Sequence, residues 1–271
     1  MNKYKMFQDL KNKAAIVTGG STGIGRAIME ALCAHGVKVT FSGISEGGVQ
    51  TEKELRQQGF KVQFVQGDMA EESFCQELTA AAAKKWGKID ILVNNAFSFI
   101  AKGPDATRDD WLRMMTVGPI GYATMAQCVL ASMKQQGGGA IVNLSSISAH
   151  IAQPNRWTYN GAKGAVNQLT RCMALDLAPY KIRVNTVSPG WIWTREVDKA
   201  AQGDRKKWGP IWGKFHMLRR LGEVEEVAAP VVFLCSDAAS FITAAELMVD
   251  GGYIGLGSEG LGESSSFAGS D

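Results

Sequence analysis

The chain has 271 residues, of which 45% are hydrophobic and 20% charged. That composition excludes a disordered chain as the overall description, and the length fits one domain with a tail. The 29 Lys and Arg against 26 Asp and Glu leave a net charge of +3, too small to point to nucleic acid.

Short apolar runs alternate with longer helical patterns along the chain. Residues 14–18 read as a strand ending in Gly19-Gly20, 24–35 as a helix stopped by Gly36, and 37–42 as a second strand. Residues 49–58 suit a helix, 61–66 an alternating strand, 73–86 an Ala-rich helix and 89–93 a fully apolar strand. A long helical stretch over 109–134 is broken by Gly118-Pro119, which predicts a kink there. Then come a strand over 140–144, a helix over 159–178, a strand over 184–188, a helix over 223–235 and a last strand over 246–249. Strands alternating with helices of this length predict an α/β fold on a mainly parallel sheet covered on both faces. Two segments fall outside the pattern. Residues 191–221 form a long insertion expected to act as a substrate lid, and 255–271 form a Gly- and Ser-rich tail.

Cys33, Cys75, Cys128, Cys172 and Cys235 make no CxxC pair and are odd in number. They read as free thiols in a reducing, cytoplasmic setting. His35, His150 and His216 are far apart in sequence, so no metal site is expected. The N-terminal residues lack the apolar core of a secretory signal, and no apolar run is judged long enough for a membrane helix.

The turn Thr18-Gly19-Gly20-Ser21-Thr22-Gly23-Ile24-Gly25 joins the first strand to the first helix. Its glycines allow a tight bend and close approach of a ligand, and the helix N-terminus offers free N–H groups and a positive dipole to a pyrophosphate. The end of the second strand reads Ser42-Gly43-Ile44-Ser45, with neither the acid that accepts a ribose 2′-hydroxyl nor a cation for a 2′-phosphate. The expected cofactor is therefore NAD or NADP, leaning to NAD because an unpaired dianion is the costlier omission. Tyr159 and Lys163 stand four residues apart, on one face of a helix. An ammonium one turn away favours the phenolate, which can then exchange a proton with an alcohol or carbonyl oxygen. Ser146, just past a strand, is placed to donate to that oxygen.

Taken together, TGGSTGIG, LVNNA, NLSS, YNGAK, RVNTVSPG and VDGG resemble the short-chain dehydrogenase/reductase family in order and spacing over roughly residues 9–252. The resemblance implies a three-layer, doubly wound Rossmann-type sheet of about seven parallel strands in a single domain over 1–254. It implies NAD(P) binding and a homotetramer or homodimer with a small-molecule substrate, and gives no role to nucleic acid or membrane. It implies Ser146, Tyr159 and Lys163 as catalytic residues, with Lys163 lowering the tyrosine pKa and holding the nicotinamide ribose. It implies cofactor contacts from Gly19, Ser21, Thr22, Gly23, Ile24 and Gly25 at the bend. Further contacts are implied from Asp68, Met69, Asn94 and Ala96, from Tyr159 and Lys163, and from Pro189, Gly190, Ile192 and Thr194.

Two departures stand out. The family's relay Asn, seven residues after a Trp, is here Gly118 after Trp111 and Val117, and Phe97 replaces the Gly of NNAG. A carbonyl freed at the kink, or a water, is one substitute for the missing amide, and restoring Asn at 118 is expected to raise the rate if the relay is limiting. Phe97, His150, Arg156 and Trp191 are the expected substrate residues, and the polarity of the segment between Ser146 and Tyr159, with His150, Gln153, Asn155 and Arg156, suggests a sugar, polyol or hydroxy acid. The leading expectation is an NAD(P)-dependent oxidoreductase acting on a secondary alcohol or its ketone. The alternative is a catalytically weak dinucleotide-binding sensor or scaffold, favoured by Gly118. A sugar-nucleotide epimerase shares the Tyr and Lys spacing but needs a shorter glycine gap and a larger C-terminal domain.

Overall fold

The computed structural model describes residues 7–257 and 260. Its centre is a seven-stranded, all-parallel sheet. The strands are β1 (Ala14–Val17), β2 (Lys38–Gly43), β3 (Val62–Gln66), β4 (Ile91–Asn94), β5 (Gly139–Leu144), β6 (Ile182–Pro189) and β7 (Glu246–Val249), in the order β3-β2-β1-β4-β5-β6-β7. Every residue of β1 and β4 is buried, as strands covered by helices on both faces must be.

One face carries α1 (Gly23–Ala34), α2 (Gly47–Gln57) and α9 (Val224–Cys235), whose Ile28, Leu32, Leu55, Val231 and Leu234 pack on Val17, Phe41 and Val93. The other carries α3 (Glu72–Trp86), α5 (Gly121–Gln135) and α6 (Trp157–Leu177), with Leu78, Met125, Val129 and Met173 packed on Ile16 and Leu92. Truncating one such buried Leu to Ala costs about 2–5 kcal/mol, which ties the apolar spacing of the helices to the fold's stability. Local signals set the helix ends. Gly87, at φ 79°, closes α3 in the left-handed region, and Thr107 with Asp110 forms a capping box that starts α4 (Arg108–Met115).

Chain order reverses between β1 and β4, so a crevice opens outside the carboxyl ends of the strands at that point. Asn95, Phe97, Ser146 and Gly190 all lie within three residues of strand ends at this edge, which is how residues far apart in sequence reach one cleft.

Two expectations need correction. Arg108–Gln135 is long and apolar enough to cross a membrane by length and composition. Half of its most apolar stretch is buried in the fold, and a five-residue π turn over Thr116–Ile120 breaks it where Gly118-Pro119 predicts a kink. Residues 191–221, expected as a loop, contain α7 (Arg195–Ala200) and α8 (Arg205–Gly213). Thr194 and Asp204 cap these helices through their side chains, a short-range signal legible in the sequence. Of the Gly- and Ser-rich tail, residues 258–259 and 261–271 lie outside the described residues.

Candidate active site

The glycine bend is held by backbone proximity. Gly19 has φ 66°, and a side chain on Gly25 would begin 2.2 Å from the Gly19 carbonyl oxygen. No larger residue fits at 25 while the bend keeps this shape. Asn95, which the motif reading passed over, donates from Nδ2 to the carbonyls of Thr18 and Gly19, and Thr18 Oγ1 accepts from the N–H groups of Asn95 and Ala96. The second Asn of NNA was the available signal. Thr22 opens α1 without a side-chain cap, and Gly23, at φ 56°, faces open space. Uncapped N–H groups at a helix start beside an open glycine fit a pyrophosphate, so the chain's own residues suit the dinucleotide that the motif implies. Ile24 borders the main cleft beside this bend.

Within the bend, Ser21 Oγ is buried without a hydrogen-bond partner among the described residues, and a side chain on Gly43 would begin 2.4 Å from it. Asp68 accepts from Arg113 Nη1 at 2.7 Å and from the Ala70 N–H at 2.9 Å. Burial works against its ionisation, but these partners prevail and hold its carboxyl below the usual range. Met69 is buried, with its sulfur 3.6 Å from Ser42 Oγ. Asn94 is fully buried, and its Nδ2 donates to Asn143 Oδ1 and the Tyr122 carbonyl, so its amide faces into the sheet rather than the cleft.

The main cleft has a volume of about 420 Å³. Ser146, Tyr159 and Lys163 line it together, with Pro189, Gly190, Ile192 and Thr194 opposite. Ser146 Oγ accepts from the Ser148 N–H at 3.1 Å, and Ser146 stands near enough to the Tyr159 hydroxyl to act on its pKa. Burial raises the Tyr159 pKa, while Ser146 and the nearby Arg156 charge pull it back. The Lys163 ammonium donates to the Leu144 carbonyl at 2.8 Å and lies 5.7 Å from the Tyr159 ring centre. Burial lowers its pKa to about 7. The help expected for the phenolate from Lys163 is thus weakened by the lysine's own loss of solvation, and Arg156 supplies the charge that acts on Tyr159.

The substrate wall is largely aromatic. Phe97, Phe99, Trp191 and Trp212 line the cleft, and Phe99 meets the Tyr159 ring at 5.0 Å. Arg156 lines it too, 5.5 Å above Phe99, and makes no ion pair among the described residues. Sequence reasoning missed Ser148 and Glu196 on this wall, both from short elements that carry no motif. His150 does not belong there. Its Nε2 sits 2.7 Å from Glu246 Oε1 on β7, which also accepts from Ser188 Oγ and Asn167 Nδ2. A carboxylate 96 residues further on takes the imidazole out of the cleft. His216 is buried and accepts the Trp191 N–H at 3.3 Å, a supporting place behind the wall.

A family model described as Enoyl-(Acyl carrier protein) reductase matches residues 19–254. A glucose 1-dehydrogenase of Bacillus subtilis is 35% identical over 91% of this chain and 96% of its own. The chain is a short-chain dehydrogenase/reductase. This dehydrogenase/reductase is also 36% identical to a cis-4-hydroxycyclohexanecarboxylate dehydrogenase of Sinomonas cyclohexanicum, over 92% of this chain and 99% of that one. A solved 7α-hydroxysteroid dehydrogenase, complexed with NADH and 7-oxo glycochenodeoxycholic acid, overlays with a TM-score of 0.83 at 32% identity, over 90% of this chain and 96% of that one. The named relatives are dehydrogenases acting on hydroxyl groups, and this member is an NAD(P)-dependent oxidoreductase of CH–OH substrates.

Proposed function

We propose that the enzyme oxidises a secondary alcohol on an apolar, ring-like frame that carries an anionic group, or reduces the matching ketone, with NAD as cofactor. The observation that carries this reading is that Ser146, Tyr159 and Lys163 line one aromatic cleft in which Arg156, without an ion pair among the described residues, stands over Phe99. A bound nicotinamide supplies the hydride acceptor or donor. Tyr159 exchanges the proton with the substrate oxygen: it takes the O–H proton as the C–H hydride leaves and the C=O forms, and returns it in the reverse direction. Ser146 hydrogen-bonds the same oxygen and fixes it against Tyr159. Arg156 draws the anionic end of the substrate across Phe99, which leaves the carbinol group beside Ser146 and Tyr159. The relative named for a hydroxycyclohexanecarboxylate supports a ring with a carboxylate.

NAD fits better than NADP because Ser42, Gly43, Ile44 and Ser45 bring no cation, whereas the unpartnered Ser21 hydroxyl can bond a 2′-hydroxyl. A cytoplasmic setting suits the five free cysteines, and exposed Leu175, Phe241 and Leu247 suit a homotetramer or homodimer, which light scattering tests.

The deciding experiment follows absorbance of the reduced nicotinamide with cyclic alcohols, with and without a carboxylate, sugars and polyols. Turnover fastest with the carboxylated ring is expected, and turnover confined to sugars overturns the substrate class. A second reading, dinucleotide binding with little turnover, draws on the buried Lys163. Calorimetric binding of NAD with no absorbance change across the panel would favour it.

A further inference from the structure

The two departures from the family pattern meet in space. A side chain on Gly118 would begin 2.6 Å from Phe97 Cε2 and 2.8 Å from Phe97 Cζ. Real Cβ atoms do not approach that closely, so the ring occupies the place where a residue at 118 would project. The π turn over Thr116–Ile120 sets this geometry. Gly118 leaves the helical region at ψ −111°, and its carbonyl is taken by the Gly121 N–H rather than turned to the cleft. The face of the Phe97 ring lies 3.6 Å from the Lys163 ammonium. Tyr122 and Tyr159 meet the same ring nearly at right angles, at 6.2 and 5.8 Å. Lys163 is 4% exposed, and of its three N–H groups one reaches Leu144 and one can rest on the ring face.

We propose that Phe97 and Gly118 form one plug: the missing side chain at 118 admits the ring, and the ring positions Lys163 while shutting the α4–α5 side of the Tyr159–Lys163 pair to water. The inference rests on reading that pair as the proton-handling groups, yet its test needs no turnover. The titratable groups near Lys163 are Tyr159 on its own helix and Tyr122 from α5, whose hydroxyl donates to the same Leu144 carbonyl; β5 presents that carbonyl, and the β4 loop presents Phe97. No charged side chain offsets the burial of the ammonium. The ring therefore acts on Lys163 in two opposed ways. Its face attracts the charge, and its bulk helps to remove the water whose loss lowers the lysine pKa. A proton leaving Tyr159 is confined to the open mouth of the cleft, where a bound substrate controls its exchange.

The plug is tested on the full chain with Phe97→Gly, Phe97→Leu, Gly118→Asn and the double variant Phe97→Gly/Gly118→Asn. Thermal melts are read first. Gly118→Asn alone is expected to lower Tm, and adding Phe97→Gly to recover at least half of that loss. A double variant that loses the sum of the two single losses overturns the pairing. The second reading is the titration of Lys163, followed by NMR of lysine labelled at Cε. Phe97→Gly is expected to raise its midpoint by about one pH unit or more as water enters, whereas Phe97→Leu, which keeps the bulk, holds it low. A midpoint unmoved in Phe97→Gly overturns the role of the ring. If Phe97→Gly does not fold, a Phe97→Leu midpoint as high as that of an exposed lysine overturns it instead. Absence of turnover in the parent would sink the proposed function and leave both readouts of the plug intact.

Discussion

The two ends of the active cleft obey different constraints. At the glycine bend, the surfaces that meet are backbone, with Gly25 against the Gly19 carbonyl and the Thr18 and Gly19 carbonyls held by the Asn95 side chain. Such contacts leave no room for substitution, and here the family pattern is kept. At the Tyr159–Lys163 end, the contacts are side chain against side chain, and a bulky residue at 97 is balanced by an absent one at 118. Positions that touch through side chains can exchange volume in pairs, whereas positions that touch through backbone cannot.

The strongest way to sharpen this contrast is Tyr159→Phe. Turnover should fall by roughly 10³-fold while the dissociation constant for NAD stays unchanged, because proton transfer is lost and the bend is untouched. Parallel loss of NAD binding would show that the two ends are not separable. Next comes Gly25→Ala, which forces the bend itself to move. We expect about 1–3 kcal/mol lost from stability in denaturant titrations and NAD binding weakened by about tenfold or more. A neutral result would break the claim that backbone contact governs this end.

Lys163→Met probes the other end through pH. The folded pKa of Lys163 is lowered from 10.5 to about 7, so below about pH 7 the parent buries a full charge that it carries unfolded as well. Raising the pH from about 7 toward 10.5 discharges the folded form first, and the parent regains stability across that window. The Met variant should therefore exceed the parent in melting temperature most at or below pH 7, with the gap closing toward pH 10.5. A gap independent of pH would remove the buried charge from the account. Smallest is Arg156→Ala, expected to raise KM for a carboxylated substrate by about tenfold and to leave neutral alcohols unaffected. Equal effects on both would take Arg156 out of substrate selection.

The contrast also explains what could be read from the sequence. Alternating apolar strands and helices gave the parallel sheet, and the glycine spacing marked the bend, because both are set by residues close in sequence. The kink at Gly118-Pro119 was legible for the same reason. The fit of Phe97 into the gap at Gly118 was not, since nothing local says where the ring of residue 97 points. With only the family pattern to go by, Gly118→Asn reads as a repair; the geometry makes it a collision. His150 went astray for a similar reason, its partner Glu246 lying 96 residues away. The two short helices in 191–221 were hidden because neither is long enough to show an apolar stripe, and only the caps at Thr194 and Asp204 announce them.

That same Glu246 carboxylate bears on how the molecule is assembled. It stands on β7, the last of the seven sheet strands in chain order, and gathers His150, Ser188 and Asn167 from three earlier elements. Until β7 docks at the sheet edge, the segment leading from Ser146 to Tyr159 lacks its anchor, while the glycine bend has had every partner in place since β4 emerged. The nucleotide half of the cleft thus draws its contacts from the first four strands, and the half that meets substrate depends on β7.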